Sequence, residues 1–207
     1  MTDKTNSKKR KKAWESELIG KIRGMIEHLY PGIENEMREL YIQKNQNAMK
    51  LIKSGADFRL AFHSWFLLKF EFPSGTTAIE MADSFPMKYF NEKEKKMIMN
   101  FLRYKESLFE IINISENKKD YTLRDLSDNK EYAIRTIDLP AGFKEKEIVQ
   151  AIIVKNLKKE YFFYGLVTSF DVFNRKEFVK EILEKIKIEE DIRRERAKDK
   201  IEWEILK

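Results

Sequence analysis

The chain has 207 residues, 42% hydrophobic and 13% aromatic, which is enough for one large domain or two small ones. It contains no cysteine, which excludes disulfides, thiolate zinc sites, iron–sulfur clusters and cysteine nucleophiles. The formal net charge is +6, and residues 1–12 carry +5 of it, so the remaining body is close to neutral.

The beginning of the chain is polar and basic. Residues 1–12 contain no run of apolar side chains, so they are expected to be disordered and do not form a signal peptide. No stretch of the chain approaches the roughly 18–20 apolar residues that a membrane span needs. With the absence of cysteine, this favours a cytoplasmic protein without a membrane partner.

The first half of the chain has the apolar spacing of helices. Helices are predicted, in chain order, at about residues 13–30, 33–54, 58–70, 77–85 and 91–104. Gly55 is expected to cap the second helix at its carboxyl end, and Asp57 to cap the third at its amino end. Gly20 and Gly24 weaken the first helix by about 1 kcal/mol each, unless their spacing allows close packing of another element.

Two of the helix starts carry a recognisable capping pattern. Thr77 with Glu80, and Asn91 with Glu94, have the spacing of a capping box, in which each residue of the pair binds the backbone amide of the other. These pairs therefore predict the first residues of the fourth and fifth helices.

Near Ser107 the apolar period changes from that of helices to that of strands. Short β-branched and aromatic runs predict strands at residues 108–114, 121–126, 132–137, 148–154 and 161–170. Their tight turns indicate an antiparallel meander that curls into a small barrel, with a twisted open sheet or a sandwich fragment as alternatives. Gly165 indicates a bulge or a close backbone approach, and Asp125 is expected to cap backbone amides of a turn.

After residue 173 the helical period returns. A long helix is predicted from Arg175 to about Lys200, supported by opposite charges four residues apart such as Glu190 and Arg194. In the tail, apolar and acidic residues alternate over 201–205. The tail is therefore expected to add a strand or to dock an apolar edge.

The sequence thus predicts an α+β protein with an α-helical amino-terminal half, a small antiparallel β-barrel or curved sheet, and a long carboxy-terminal helix. Its expected parts are a disordered basic arm at 1–12, a helical domain at 13–105, the barrel at 106–173, and a charged helix and tail at 174–207.

The clearest candidate binding site is a run of five adjacent cations in the arm: Lys8, Lys9, Arg10, Lys11 and Lys12. Such a run suits the phosphate backbone of a nucleic acid. An acidic protein, an anionic membrane surface, a nuclear address or a solvated tail would give the same pattern.

A second candidate lies on the last predicted strand, where four consecutive aromatic residues occupy positions 161–164. Three lysines are close to them in the sequence: Lys155, Lys158 and Lys159. Aromatic rings beside cations on a sheet can stack bases. Because two rings must face each side of a strand, one pair is expected in the core. Tyr161 and Phe163 are the candidate contact pair, with Phe162 and Tyr164 as the alternative.

Catalytic residues in a recognisable arrangement are absent from the sequence. The two histidines, His28 and His63, have no partner four residues on for a metal, and Ser64 beside His63 points in another direction. Glycines never form a phosphate-binding loop. We therefore expect no enzyme, no metal and no cofactor. A hydrolase or nuclease built from scattered carboxylates and a divalent metal is the remaining enzymatic alternative.

Two groups of motifs resemble a known pattern. Residues 62–66 and 75–80 resemble F-x-x-W-F followed by G-x-T-x-x-E, and residues 108–111, 123–126 and 132–134 resemble aromatic-E-V, L-x-D-L and Y-x-V. In these motifs the chain resembles poorly characterised microbial proteins, some of which carry a zinc-binding motif like that at the carboxy terminus of the SecA translocase. The resemblance covers about half of the chain and implies an architecture without catalytic residues. The zinc motif is absent here, because there is no cysteine.

These features predict a non-enzymatic, cytoplasmic protein that binds RNA or a ribonucleoprotein such as the ribosome. The alternative is a protein–protein adaptor without nucleic-acid contact, which binds another protein or forms a homodimer through its carboxy-terminal helix.

Overall fold

The structure is a computed structural model that describes residues 14–50, 52–116, 120–135, 143–170 and 175–205, with the backbone alone at 47–48, 175–178, 193 and 196–205. Its helices are α1 (Trp14–Leu29), α2 (Ile33–Lys44), α3 (Gln46–Met49), α4 (Gly55–Leu68), α5 (Ala78–Ser84), α6 (Glu92–Leu102) and α7 (Arg175–Ile205). Its strands are β1 (Lys105–Ile114), β2 (Asp120–Asp125), β3 (Glu131–Arg135), β4 (Ile148–Lys155), β5 (Tyr161–Phe163) and β6 (Thr168–Phe170). The predicted α+β class and its order of helices, barrel and long helix are confirmed.

The chain falls into two compact units. The first comprises the described parts of Met1–Asn45 and Trp65–Leu102, and the second those of Gln46–Ser64 and Arg103–Lys207. Helix α4 therefore contributes its beginning to the second unit and its end to the first. No described helix is both long enough and apolar enough to cross a membrane.

The first unit is a helical bundle. Leu18, Ile22 and Ile26 lie four residues apart on α1 and are buried, so one face of this helix enters the core. Helix α5 packs against both α1 and α6. Buried side chains of α5 and α6, such as Ile79 and Phe101, contribute to the apolar interior of this unit.

Both predicted capping boxes are confirmed. The Thr77 amide donates to Glu80 Oε2 at 2.7 Å, and the Glu80 amide donates to Thr77 Oγ1 at 3.4 Å. The Asn91 amide donates to Glu94 Oε2 at 2.8 Å, and the Glu94 amide donates to Asn91 Oδ1 at 3.0 Å. These contacts satisfy amides that have no partner within the first turn of a helix.

Two other predicted caps are wrong. The second helix ends at Lys44 instead of residue 54, and Gly55 is the first residue of α4. The amide of Asp57 donates to Ser54 Oγ at 3.1 Å, so Ser54 occupies the amino-terminal cap that was predicted for Asp57. A serine hydroxyl three residues before the amide has the geometry that such a cap requires.

The strands of the second unit form a closed five-stranded barrel with one additional strand. The order is β1-β2-β3-β5-β4, a β1–β4 pairing closes the barrel, and β6 pairs with β4. All pairs are antiparallel except β3–β5, which is parallel. The barrel is confirmed, but its strand order is not that of a meander, because β4 joins β1 instead of β3.

The predicted strand at 161–170 is interrupted. It divides into β5 and β6, with Gly165 between them at a φ of +90°. Strand β1 is also irregular, since its register with β2 shifts between Ile111 and Asn113. A bulge of this kind bends a strand, which lets β1 pair with β2 along one part and with β4 along another.

The barrel interior is filled by alternate residues of its strands. The buried cluster comprises Phe109, Ile111, Tyr121, Leu123, Ile134, Val149, Ala151 and Ile153. Strand β4 is buried on its other face too, as Ile152 and Val154 show. The apolar run of β4 in the sequence follows from this burial on both faces.

Helix α7 packs against β1 and continues to Ile205, so the predicted strand in the tail is wrong. The two glutamates of the tail, Glu202 and Glu204, are good helix formers. Ile186 is buried, whereas Ile188 and Ile192 are exposed. At 31 residues, α7 is about 46 Å long.

Candidate nucleic-acid interface

The turn between β4 and β5 has a backbone conformation that is fixed by one side chain. Asn156 Oδ1 accepts hydrogen bonds from the amides of Lys158 at 2.8 Å and Glu160 at 3.0 Å. The amide of Asn156 also donates to the carbonyl of Glu160 at 2.7 Å, and Lys159 adopts a φ of +69°. The turn is therefore held closed, and its side chains leave it in set directions.

All three lysines predicted from the sequence lie at this turn and are exposed: Lys155, Lys158 and Lys159. Within the part of the chain that the structure describes, no carboxylate lies within salt-bridge distance of these three ammonium groups. Lys155 Nζ lies 5.7 Å from the centre of the Tyr161 ring. The structure thus brings the predicted cations together on a rigid support.

The acidic residue of the same turn, Glu160, is already engaged. Asn156 Nδ2 donates to its Oε2 at 3.1 Å, and Arg135 Nη1 donates to its Oε1 at 3.2 Å. The hydrogen bond from Asn156 and then that from Arg135 lower the pKa of Glu160 below its usual value. Glu160 therefore remains ionised and bound to its own neighbours.

The outer face of β2 and β3 lies beside this turn. A groove of about 490 Å³ is lined by both strands together with Lys159 and Glu160. In the β2–β3 register, Thr122 lies opposite Ala133, and Arg124 lies opposite Glu131. The side chains at the centre of this face are therefore small, and those towards its ends are charged.

The arginines of this face are paired with carboxylates. Arg124 lies between Glu110, at 3.7 Å, and Glu131, at 3.5 Å. Arg135 contacts Glu160 at 3.2 Å. It also lies 4.0 Å from Asp120. The strand face is consequently close to neutral, and the excess positive charge of this region resides on the β4–β5 turn.

The structure places Tyr161 and Phe163 against the interior cluster of the barrel. The Tyr161 ring meets Tyr132 edge to face at 5.1 Å, and the Phe163 ring meets Tyr121 at 6.4 Å. Phe162, which is on the other face, lies opposite the buried Val154. A role for Tyr161 and Phe163 in nucleic-acid binding stays a prediction.

One polar cluster inside the barrel was only partly predicted. Asp125 is completely buried, and its Oδ1 accepts from the Ser127 amide at 2.7 Å, which confirms the predicted turn cap. The same oxygen also accepts from Ser107 Oγ at 2.8 Å, and Oδ2 lies 2.7 Å from Lys105 Nζ. Lys105 was missed because β1 begins three residues before the predicted strand. Extending the alternation back from Ser107 would have placed Lys105 on the inner face.

Lys105 stays protonated in this cluster. Burial opposes its charge, but hydrogen bonds and the negative charge of Asp125, with a further contribution from Asp128, outweigh that effect and raise the pKa of Lys105 above its usual value. A protonated lysine is a poor general base. The arrangement is that of a structural ion pair that ties β1 to the end of β2 and the following turn.

A second groove, of about 760 Å³, runs between β1 and α7. Its apolar lining includes Ile148, Leu183 and Ile186, and its rim carries charges of both signs, such as Glu190 and Lys187. The mixed rim does not favour a polyanion, so the β4–β5 turn is the better candidate site.

The remaining predicted residues do not add to the interface. The cations Lys8 to Lys12 lie outside the described residues. His28 is exposed on α1. Among the residues that the structure describes, no group of three or more His, Asp or Glu side chains is placed to hold a metal ion.

The fold and this surface define a helical protein with a small closed barrel that carries a rigid, lysine-bearing turn. The chain belongs to the family of unknown function DUF7986, whose model matches residues 9–203. Comparison with curated proteins and with solved structures gave no match.

Proposed function

We propose that this protein is a cytoplasmic, non-enzymatic protein that binds RNA or a ribonucleoprotein such as the ribosome. The observation that carries the proposal is the β4–β5 turn. It presents Lys155, Lys158 and Lys159 on a backbone fixed by Asn156, next to the open face of β2 and β3. The fixed turn backbone keeps the three lysines close together, so several of them can meet the phosphates of one nucleic acid at once.

The barrel topology supports the same proposal. The order β1-β2-β3-β5-β4, with β1 closing on β4, is that of oligonucleotide-binding barrels, which bind their ligands on the β2–β3 face and the adjoining β1–β2 and β4–β5 loops. A shared topology does not establish a function by itself. Its value here is that the lysines and the groove occupy the positions used in such barrels.

The basic arm would add a second contact. Residues 1–12 carry a net charge of +5. Each phosphate that the protein neutralises makes the slope of log K against log salt concentration more negative by about 0.7–0.9. We propose that the arm supplies affinity without sequence preference and that the turn fixes the position of the RNA.

The test uses the full chain, a fluorescently labelled RNA hairpin and a titration over several salt concentrations. Replacing all three turn lysines by glutamine should weaken binding about tenfold or more at low salt and flatten the salt dependence. Deleting residues 1–12 should have a similar effect.

The matched control replaces three exposed lysines of α7 by glutamine: Lys180, Lys185 and Lys187. It removes the same charge elsewhere and should change the affinity much less. Equal losses in both triple variants would overturn the assignment to the turn. No binding of RNA or of purified ribosomes at low salt would overturn the proposed function.

A second function, that of a homodimeric adaptor, is favoured by one observation on α7. Ile188 and Ile192 lie one turn apart and are 59% and 43% exposed. They flank an acidic run, Glu189 to Asp191, which is followed by a basic one, Arg193 to Arg196. Two copies of α7 packed antiparallel would bring each acidic run near the basic run of the other copy.

Light scattering on the full chain tests this second function. The wild type should be dimeric, and replacing Ile188 and Ile192 by glutamine should make it monomeric. The control Leu157→Gln, at an exposed leucine of the β4–β5 turn, should leave the mass unchanged. A monomeric wild type at the highest concentration would contradict the homodimer.

A further inference from the structure

We infer that the RNA bound at the β4–β5 turn is double-helical RNA, held by its phosphates, and not an unstacked single strand. The inference rests on the proposed function and specifies its ligand. Oligonucleotide-binding barrels commonly hold single strands by stacking bases on aromatic rings.

The described outer face of β2 and β3 carries no aromatic side chain. Its outward residues are Asp120, Thr122, Arg124, Glu131, Ala133 and Arg135. Stacking on an aromatic ring contributes about 1–3 kcal/mol per base to single-strand binding. That contribution has no source on the outer side of these two strands.

The lining of the groove includes Tyr121, which is buried, and Tyr132 and Tyr161, whose rings are already in contact with other groups. Lys105 Nζ lies 5.8 Å from the centre of the Tyr132 ring, and Lys155 Nζ lies 5.7 Å from that of Tyr161. The centres of these two rings lie 5.1 Å apart in an edge-to-face arrangement, and the centre of the Tyr132 ring lies 6.0 Å from that of Phe109. A base could stack on either ring only by displacing a lysine or an interior neighbour.

Reading of base edges is also disfavoured on this face. Arginine is the side chain best suited to bidentate contacts with bases, but Arg124 and Arg135 are held by carboxylates. The cations without such a partner are lysines, which act as point charges towards phosphates. The chemistry of the turn therefore suits a backbone and not a base sequence.

Double-helical RNA fits these properties. Its base faces are hidden in the stack, and its phosphates stand at the perimeter, where proteins recognise it by shape. A duplex also has more closely spaced phosphates than a single strand. Its binding constant therefore falls more steeply with salt, with a slope of log K against log salt concentration of about −0.9 for each phosphate contact, compared with about −0.7 for a single strand. A fixed turn with clustered lysines can meet two or more phosphates of such a regular backbone.

The experiment uses a labelled hairpin whose stem has about 16 base pairs. Its affinity is compared with that of oligo(U) and oligo(A) strands of equal nucleotide number. The full chain should bind the hairpin about tenfold or more tightly than either strand, with no dependence on stem sequence. The double variant Lys158→Gln/Lys159→Gln should lose most of this difference in affinity. The α7 control, the double variant Lys185→Gln/Lys187→Gln, should keep it.

Stacking is tested separately with Tyr161→Leu, checked for folding by circular dichroism. Unchanged affinity for all three RNAs is expected, because the ring faces the interior. Single strands that bind as tightly as the hairpin, or a selective loss of single-strand binding in Tyr161→Leu, would overturn this inference and leave the proposed function intact. Failure of every RNA to bind at low salt would instead overturn the proposed function.

Discussion

The backbone of Gly165 passes so close to Ser64 that a Cβ atom on Gly165 would lie 2.6 Å from both the Cβ and the Oγ of Ser64. Gly165 lies between β5 and β6, and Ser64 is buried on the part of α4 that belongs to the second unit. A strand connection and a helix segment of this unit therefore meet here without an intervening side chain. Gly165 also has a φ of +90°. Glycine is therefore required at this position for two independent reasons.

Gly165→Ala should lower the free energy of unfolding by about 2–4 kcal/mol, because it adds an overpacked contact to an unfavourable φ. Urea denaturation of the full chain measures the change. The control is Gly75→Ala, at a φ of +70° with no atom of the described residues within 4 Å of the new Cβ, which should cost only about 1 kcal/mol. Adding Ser64→Gly to Gly165→Ala should recover part of the loss. Equal effects of both alanine variants would contradict the steric argument.

Gly20→Ala and Gly24→Ala should each stabilise the protein by about 0.5–1 kcal/mol. Both glycines are exposed within α1, and apart from their own chain neighbours and helix backbone no atom of the described residues lies within 4 Å of a Cβ placed on either. The close packing that their spacing allowed is therefore not found in the described part of the chain. Thermal melting of each variant measures the gain. Gly32→Ala, also open but at a φ of +82°, should instead destabilise, and destabilisation by Gly20→Ala would contradict the prediction.

The sequence predicted those parts of the fold that depend on neighbours along the chain. The capping boxes at Thr77 and Asn91 need only residues three positions apart. The strands of the barrel are recognisable from the alternation of apolar and polar residues. Ser54 was missed as a cap because Gly55 and Asp57 offered competing local signals. Local signals of similar strength cannot be ranked without knowing what the helix packs against.

The pairings that define the candidate site depend on distant residues. The order of β3, β5 and β4 follows from which strand closes the barrel, and the contact of Gly165 with Ser64 joins positions 101 residues apart. The lysines of the β4–β5 turn were predicted from their closeness in the sequence to the aromatic run at 161–164. Their fixed geometry, and the inward direction of Tyr161, depended on the strand register, because a shift by one residue would have turned the ring outward.

Asp125→Ala should destabilise the protein by about 3–5 kcal/mol, since it leaves Lys105 without its main partner and removes an acceptor shared by Ser107 and Ser127. Lys105→Met should cost about 2–4 kcal/mol, because a completely buried carboxylate loses its counter-charge. Denaturation of both variants and of the double variant forms a cycle. The double variant should be less destabilised than the sum by about 1–3 kcal/mol, and strict additivity would contradict coupling between the two groups.

The acid side of the stability profile should depend on Asp128. Partial burial tends to raise the pKa of Asp128, but hydrogen bonds from the Lys130 amide, Lys105 and Lys130 outweigh burial and hold the pKa below its usual 3.8. A depressed carboxyl pKa stabilises the folded state above the unfolded pKa of 3.8, and this contribution is lost as the pH falls through the folded pKa. The melting temperature of the wild type should therefore exceed that of Asp128→Asn by a constant amount above about pH 5, and the difference should shrink towards pH 2.

The contribution of the Lys105 ammonium to stability depends on pH with the opposite sign. Its pKa is raised, so its contribution is present in full below the unfolded value of 10.5 and is lost only as the pH rises beyond it. The difference between wild type and Asp128→Asn should consequently stay flat from about pH 5 to pH 9, where neither group titrates. A difference that persists unchanged down to about pH 2 would show that the Asp128 carboxylate does not contribute to stability through these contacts.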